Sequence, residues 1–347
     1  MENTVSRIKW VDSLKGIAML GIVVIHAGGS ALDGIWGKIG NAGHFGVQMF
    51  FLISAFLAWT SLGKGISYQT WIKKKLLRLL PLFYVAYTVA LIVSLAMGGS
   101  FSAPSFIVHI LGIWGLFPEY HNGLMAEWYL GALILFYIIA PGIHKFVNNI
   151  GRALVFFFLT VVFSESFNYI ASSIFASKVA DYNYLSYFGN TSLWYQFPTL
   201  AIGIILYYVI IGLGKLEVAD SGCEVRLLSS VTMICIALIL LAGIVMNKNY
   251  TWGFDIYICT TFAFGIIAAS QYIFAVPIIS NRVFMIIGKY SYPVYLFHYT
   301  LIRVINYYYK MGISTFFIKT VLSVVVPVLG TVIYECVVHL LIKRQET

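Results

Sequence analysis

Charge is scarce in this 347-residue chain: Asp, Glu, Lys and Arg make up 10% of it and hydrophobic residues 60%, where soluble domains carry about a quarter charged residues. With a mean hydropathy of +0.88, a water-soluble fold is excluded. Paired cysteine is missing as well. Cys223, Cys235, Cys259 and Cys336 are scattered without a C-x-x-C pair, which argues against a metal knuckle or a redox motif. They are expected as buried small apolar residues. Room for a separate soluble catalytic domain is also lacking. A membrane span takes about 20 apolar residues, so the length is used up by about ten spans and short loops. Any chemistry must then be done by residues on or between helices. The net charge of +9 does not imply a nucleic-acid partner, because the basic residues sit mostly at helix ends.

What the sequence does have is a series of apolar runs punctuated by Gly, Pro, Asn or charge. They predict an all-α, polytopic bundle with helices at roughly 12–30, 43–62, 76–97, 127–147, 153–173, 195–213, 227–246, 253–274, 283–307 and 315–342. The stretch from Phe101 to Phe117 is interrupted by Pro104, His109 and Gly115 and reads as a re-entrant or interfacial segment. Positive residues are retained on the cytoplasmic side. An inward N-terminus gathers Arg7, Lys9, Lys15, the Lys64–Arg78 cluster, Lys145, Arg152, Lys215, Arg226, Arg282, Lys289, Lys343 and Arg344 there, leaving Lys38, Lys178, Lys248, Arg303, Lys310 and Lys319 outside. Both termini are therefore expected to be cytoplasmic. The N-terminal run superficially resembles a secretory signal, but is expected to stay as the first span because cleavage would discard its polar residues. No repeat or linker divides the chain, so residues 1–347 are taken as a single domain.

Ionisable side chains inside a span cost about 2.5 kcal/mol or more and are functional candidates. Asp12, Lys15 and His26 in the first helix form one such set. Eleven residues make about three turns, so Lys15 and His26 share a face about 16 Å apart along the axis, with Asp12 on the same stripe. Lys15 falls near the cytoplasmic surface and His26 around the middle of the membrane. Imidazole is suited to accept a hydroxyl proton near neutral pH, yet residue type alone leaves both a structural and a catalytic His26 open. Lys75 and Arg78, three apart, share a face at the start of the third helix. They fit either a lipid-binding topogenic anchor or a phosphate site, for which Arg offers bidentate geometry. Further intramembrane polar residues are His44, Gln48, Ser54, Glu127, Ser291, Tyr292, Tyr295 and His298. Glu335 and His339, four apart, suggest a helix–helix contact.

Five stretches now form an ordered pattern. Asp12-Ser13-Leu14-Lys15-Gly16 is followed, ten residues beyond Lys15, by His26. Next come Gly46-Val47-Gln48-Met49-Phe50-Phe51-Leu52-Ile53-Ser54 and Lys75-x-x-Arg78 before Pro81. Glu127-Trp128-Tyr129-Leu130 runs on to Pro141, and Gly288-Lys289-Tyr290-Ser291-Tyr292-Pro293-Val294-Tyr295-Leu296-Phe297-His298 closes the series. In this the chain resembles acyltransferase family 3, the integral membrane O-acyltransferases. The resemblance implies that His26 is the essential catalytic group and that Lys75 and Arg78 handle an acyl-CoA donor. The donor is expected to be acetyl-CoA, docking its phosphates against Lys15 as well as that pair, with no metal. Asp12 and Glu127 are carried as further catalytic candidates, with Asp12 expected chiefly to orient or neutralise Lys15. The implied acceptor is a hydroxyl of a cell-surface glycan, an exopolysaccharide or a lipid-linked sugar. The implied setting is the inner (cytoplasmic) membrane of a bacterium, among membrane lipid, and a homo-oligomer is left open. Lys15 and Lys75 stand where the family commonly has Arg, and Ala55 stands where Gly usually follows the serine. The rival expectation is a transporter or flippase of a lipid-linked sugar, but the symmetric broken helices frequent in transporters are not evident.

Overall fold

The computed structural model describes residues 8–117, 124, 127–175, 191–215, 221–246, 254–309 and 312–345, with side chains at 171–175, 313 and 338–345 outside the description. Its helices are α1 Lys9–His26, α2 Gly34–Asn41, α3 Gly46–Leu62, α4 Tyr68–Ala96, α5 Ala103–Ile110, α6 Glu127–Phe146, α7 Ile150–Phe175, α8 Leu193–Lys215, α9 Cys223–Met246, α10 Phe254–Ile273, α11 Arg282–Lys289, α12 Ser291–Tyr308 and α13 Ile313–Gln345. Among the described residues there is no strand. The all-helical class follows from the need to satisfy every backbone polar group internally when no water is at hand.

Among the described residues, eight helical stretches are long and apolar enough to cross a membrane: residues 34–62 through α2 and α3, then α4, α6, α7, α8, α9, α10 and α13. The other two helices of near-spanning length, α1 and α12, carry Lys9, Asp12, Lys15 and His26 in one, and His298, Arg303 and Asn306 in the other. Their polarity reflects their place in the bundle. Helix α1 packs against α3, α11 and α12, and α12 packs in turn against α4 and α13.

The spanning helices differ in how far the bundle covers them. In the most apolar stretch of residues 34–62, 72% of positions are buried, against 11% in α9 and 22% in each of α4, α7 and α13. Lipid is as apolar as a protein interior, so the less covered helices can stay apolar. The cysteines follow the same logic. All four are exposed on the bundle, a correction to their expected burial.

Two breaks were not visible in the periodicity. The apolar run 283–307 predicts one helix, but the chain divides at Tyr290 into α11 and α12. Pro293 lies three positions into α12, and a continuous helix would drive its ring into the carbonyl four residues back. The stretch 101–117 becomes the short α5 and a 3-10 turn at Trp114–Leu116, too short to cross. At the end of α1, Gly28 adopts φ 106°, the left-handed conformation that turns a chain out of a helix. His26 is thus the last residue of α1.

Candidate active site

Helices α1 and α11 meet backbone to backbone. A Cβ at Gly16 would collide with the Phe284 carbonyl, and one at Gly288 with the Asp12 carbonyl. Only glycine permits this backbone-to-backbone contact, and it brings Lys15 and Lys289 to the wall of one cleft. That cleft, about 830 Å³ including its open mouth, is lined by residues from all five sequence stretches, among them Lys15, Ser54, Lys75, Arg78, Tyr129 and Tyr292.

Its cations are held in different ways. Lys15 Nζ lies 3.0 Å from Asp12 Oδ1, one turn back on α1. Lys75 Nζ sits 5.3 Å from the Trp71 ring centre and 5.0 Å from that of Tyr137, a desolvated cation held by π faces. Arg78 makes no ion pair among the described residues. Lys289 donates to the Tyr290 hydroxyl at 2.6 Å and pairs with Glu335 at 3.4 Å, and Tyr290 Oη donates to the same carboxylate at 3.0 Å. The hydrogen bond to Tyr290 holds Lys289 above the usual lysine range, so it stays charged. Glu335 thus serves a helix–helix contact, with Lys289 and Tyr290; the His339 side chain lies outside the described residues.

The inner wall of the cleft is aromatic. The Ser54 hydroxyl and Tyr129 Oη are 3.0 Å apart, Tyr129 packs edge-on against Tyr295, and Tyr292 Oη donates to the Leu79 carbonyl at 2.5 Å, two residues before Pro81. Beyond Tyr295 lie the histidines. His26 does not line the cleft. Its Nδ1 is 2.8 Å from Nε2 of the fully buried His298, with the two rings stacked 9° from parallel. His298 Nδ1 faces the backbone carbonyls of Tyr295 at 2.6 Å and Val294 at 3.2 Å.

This network assigns the hydrogens. A carbonyl only accepts, so His298 Nδ1 carries a proton, and in the neutral ring its Nε2 is an acceptor. The hydrogen between the rings therefore belongs to His26 Nδ1. The Nε2 of His26 is left with a free lone pair, as a general base requires. Tyr299 flanks the ring edge-on.

Glu127 lies elsewhere. It is fully buried, with Oε2 3.2 Å from His109 Nε2 and accepting the Leu124 N–H at 3.1 Å. His109 in turn stacks on Tyr87, and the Trp114 indole donates to the Glu127 carbonyl. Asp12, Lys15, Lys75 and Arg78 are thus brought together, His26 stands behind them, and Glu127 is held by His109 and the Leu124 N–H. Among the described residues no cluster of three His, Cys, Asp or Glu is placed to hold a metal ion.

The sequence profile of the Acyltransferase domain family, acyltransferase family 3, matches residues 8–335. The chain belongs to that family. Among its relatives, O-acetyltransferase OatA of Staphylococcus aureus (strains NCTC 8325 and COL among others) is 27% identical over 331 residues, which cover 87% of this chain and 52% of that protein. A second S. aureus protein, provisionally named an O-acetyltransferase, is 24% identical over 350 residues, covering 91% of this chain and 54% of that protein. The chain therefore spans about half the length of the relatives it matches. No solved structure matches it. The family is one of acyltransferases, and eight of the described helical stretches are long and apolar enough to cross a membrane.

Proposed function

We propose that this acyltransferase moves an acetyl group from cytoplasmic acetyl-CoA to a hydroxyl of a glycan or lipid-linked sugar, with His26 as the general base. The observation that carries this reading is the His26–His298 pair, which leaves a lone pair on His26 Nε2 at the inner end of a helix whose other end opens on a basic cleft. The name of the S. aureus relative supports acetyl as the group and oxygen as the acceptor atom. The setting that fits is a bacterial inner membrane.

Lys15, Lys75 and Arg78 would take the phosphates of the donor at the mouth of the cleft, with Arg78 contributing a planar fork suited to phosphate. The thioester arm would then cover the distance of about 16 Å along α1 to His26, passing Tyr295. His26 Nε2 accepts the proton of the acceptor hydroxyl as its oxygen attacks the thioester carbonyl. The C–S bond breaks, and the imidazolium returns the proton to the departing thiolate. In the alternative course Nε2 itself attacks the thioester carbonyl and the C–S bond breaks to release the CoA thiolate. The acceptor hydroxyl then takes the acetyl from the acetyl-imidazolium, regenerating the neutral imidazole, and its proton goes to the thiolate. Asp12 holds Lys15 in place, and Glu127 acts at a distance by fixing the segment that carries His109 and Trp114.

Transfer of radiolabelled acetyl from acetyl-CoA by purified protein in detergent tests this reading. His26→Ala should lower the rate by about 10²–10⁴-fold while acetyl-CoA binding persists. Full acylation by that variant would remove His26 from the mechanism. A wild-type protein that transfers no acetyl but moves lipid-linked sugar across vesicles would favour the transporter. The acetyl content of surface glycans in cells with and without the gene would identify the acceptor.

A further inference from the structure

Four cations line the cleft, and three of them are accounted for by the donor-binding reading above: Lys15, Lys75 and Arg78. The fourth, Lys289, is engaged differently. Its ammonium has three N–H donors, of which one goes to Tyr290 and one to Glu335, leaving the third for the cleft. The Glu335 contact is long for a charge-assisted bond, at 3.4 Å, and both side chains are well exposed, 40% for Lys289 and 51% for Glu335. Exposed pairs of this kind hold weakly. Its backbone is held in place, because it follows Gly288, which packs against the Asp12 carbonyl, while the side chain can swing about that anchor. Lys289 is thus an anchored cation on the cleft wall with a loosely held counter-ion supplied by α13.

We propose that Lys289 is a fourth ligand of the donor's phosphates, and that Glu335 is an internal counter-ion competing with the donor for it. This rests on acyl-CoA being the donor. A diphosphate or 3′-phosphate offers several anionic oxygens in place of one shared carboxylate, and charge-assisted bonds to phosphate are among the stronger ones available to an ammonium. When the donor arrives, Lys289 turns from Glu335 to phosphate, and the Tyr290 hydroxyl stays as its second partner. Glu335 therefore sets a threshold for occupancy. Ligands carrying the full phosphate charge pull Lys289 across, and weakly anionic thioesters do not.

A purely structural bridge between α11 and α13 makes a different prediction, because removing either partner would then weaken the protein and its binding alike. The sign of the Glu335 effect separates the two. Acetyl-CoA affinity is measured by calorimetry on purified full-length protein at low salt for wild type, Lys289→Ala, Glu335→Gln and the double variant, with thermal midpoints recorded alongside. Competition predicts that Glu335→Gln tightens binding about two- to five-fold, the scale of an exposed ion pair. Lys289→Ala should weaken it about three- to ten-fold, and the double variant should match Lys289→Ala. Glu335→Gln binding no tighter than wild type would overturn the proposal while leaving the donor assignment intact. So would a gain from Glu335→Gln that survives the loss of Lys289. A wild-type protein that binds no acetyl-CoA would overturn the donor reading, and this inference with it.

Discussion

His298 is the residue on which the chemistry of His26 turns. With its Nδ1 hydrogen committed to the Tyr295 carbonyl, it can only accept from His26. It also offers a place for charge to spread once His26 is protonated, since a neutral imidazole is a good acceptor for an imidazolium N–H. His298→Ala removes this acceptor and frees the His26 ring to rotate. The expected result is a fall in kcat of about 10²–10³-fold with little change in the KM for acetyl-CoA, because the cleft is built from other residues. His298→Gln, whose amide oxygen can take the His26 hydrogen, should recover part of that loss. Groups acting as a unit are strongly non-additive, so the His26→Ala/His298→Ala double variant should be no slower than His26→Ala. Steady-state kinetics on the purified variants check all three, and a loss confined to KM would sink the assignment.

Among elements, the α1–α11 contact is the one that fixes the geometry of the site. A side chain at Gly288 must displace the Asp12 carbonyl, and with it the Asp12–Lys15 pair on the same turn. Overpacking of this kind costs about 1–3 kcal/mol or more. Gly288→Val should accordingly lower the thermal midpoint in detergent, and any folded fraction should bind acetyl-CoA less tightly. An unchanged midpoint with wild-type affinity would show that the backbones part without cost. The same contact shows how much of the site could be read in the sequence. The Lys15-to-His26 stripe was legible, because helical geometry alone aligns residues eleven apart. So was the shared face of Lys75 and Arg78, which both line the cleft. The pairing of His26 with His298 was not, since 272 positions separate them and no spacing rule reaches that far. Nor was the fate of Glu127. Its partner His109 looked like an interruption in an apolar stretch, and only folding back of α5 makes the two a buried pair. The break at Tyr290 was hidden for a related reason: hydropathy stays high across it, and Pro293 acts through backbone sterics that a hydrophobic profile does not register.

For the whole molecule the open question is how many helices cross. Eight qualify on apolarity among the described residues, and α1 and α12 fall short because they carry the polar groups of the site. A central helix shielded from lipid by its neighbours need not be apolar on every face, and 11 of the 18 residues of α1 are buried. Counting both gives ten crossings and an even parity that places the described chain ends on one side. It also puts Lys64, Lys73–Lys75, Lys145, Arg152, Lys215, Arg226, Arg282 and Lys289 on that side, as positive-inside retention requires. If α1 and α12 lay in the interface instead, the cleft would lose the membrane depth that separates Lys15 from His26. Single cysteines placed at Gly65, Gly98, Asn148 and Gly222 in a cysteine-free background, probed with an impermeant thiol reagent on intact cells, decide between these arrangements. Ten crossings with an inward start predict labelling at Gly98 and protection at Gly65, Asn148 and Gly222 until the cells are opened. A cysteine at Ile8, just before α1, should be protected, while one at Leu32, just beyond its end, should label from outside with Gly98. Labelling at both Ile8 and Leu32 would mean that α1 does not cross, and would put Lys15 and His26 together on the outer side of the barrier.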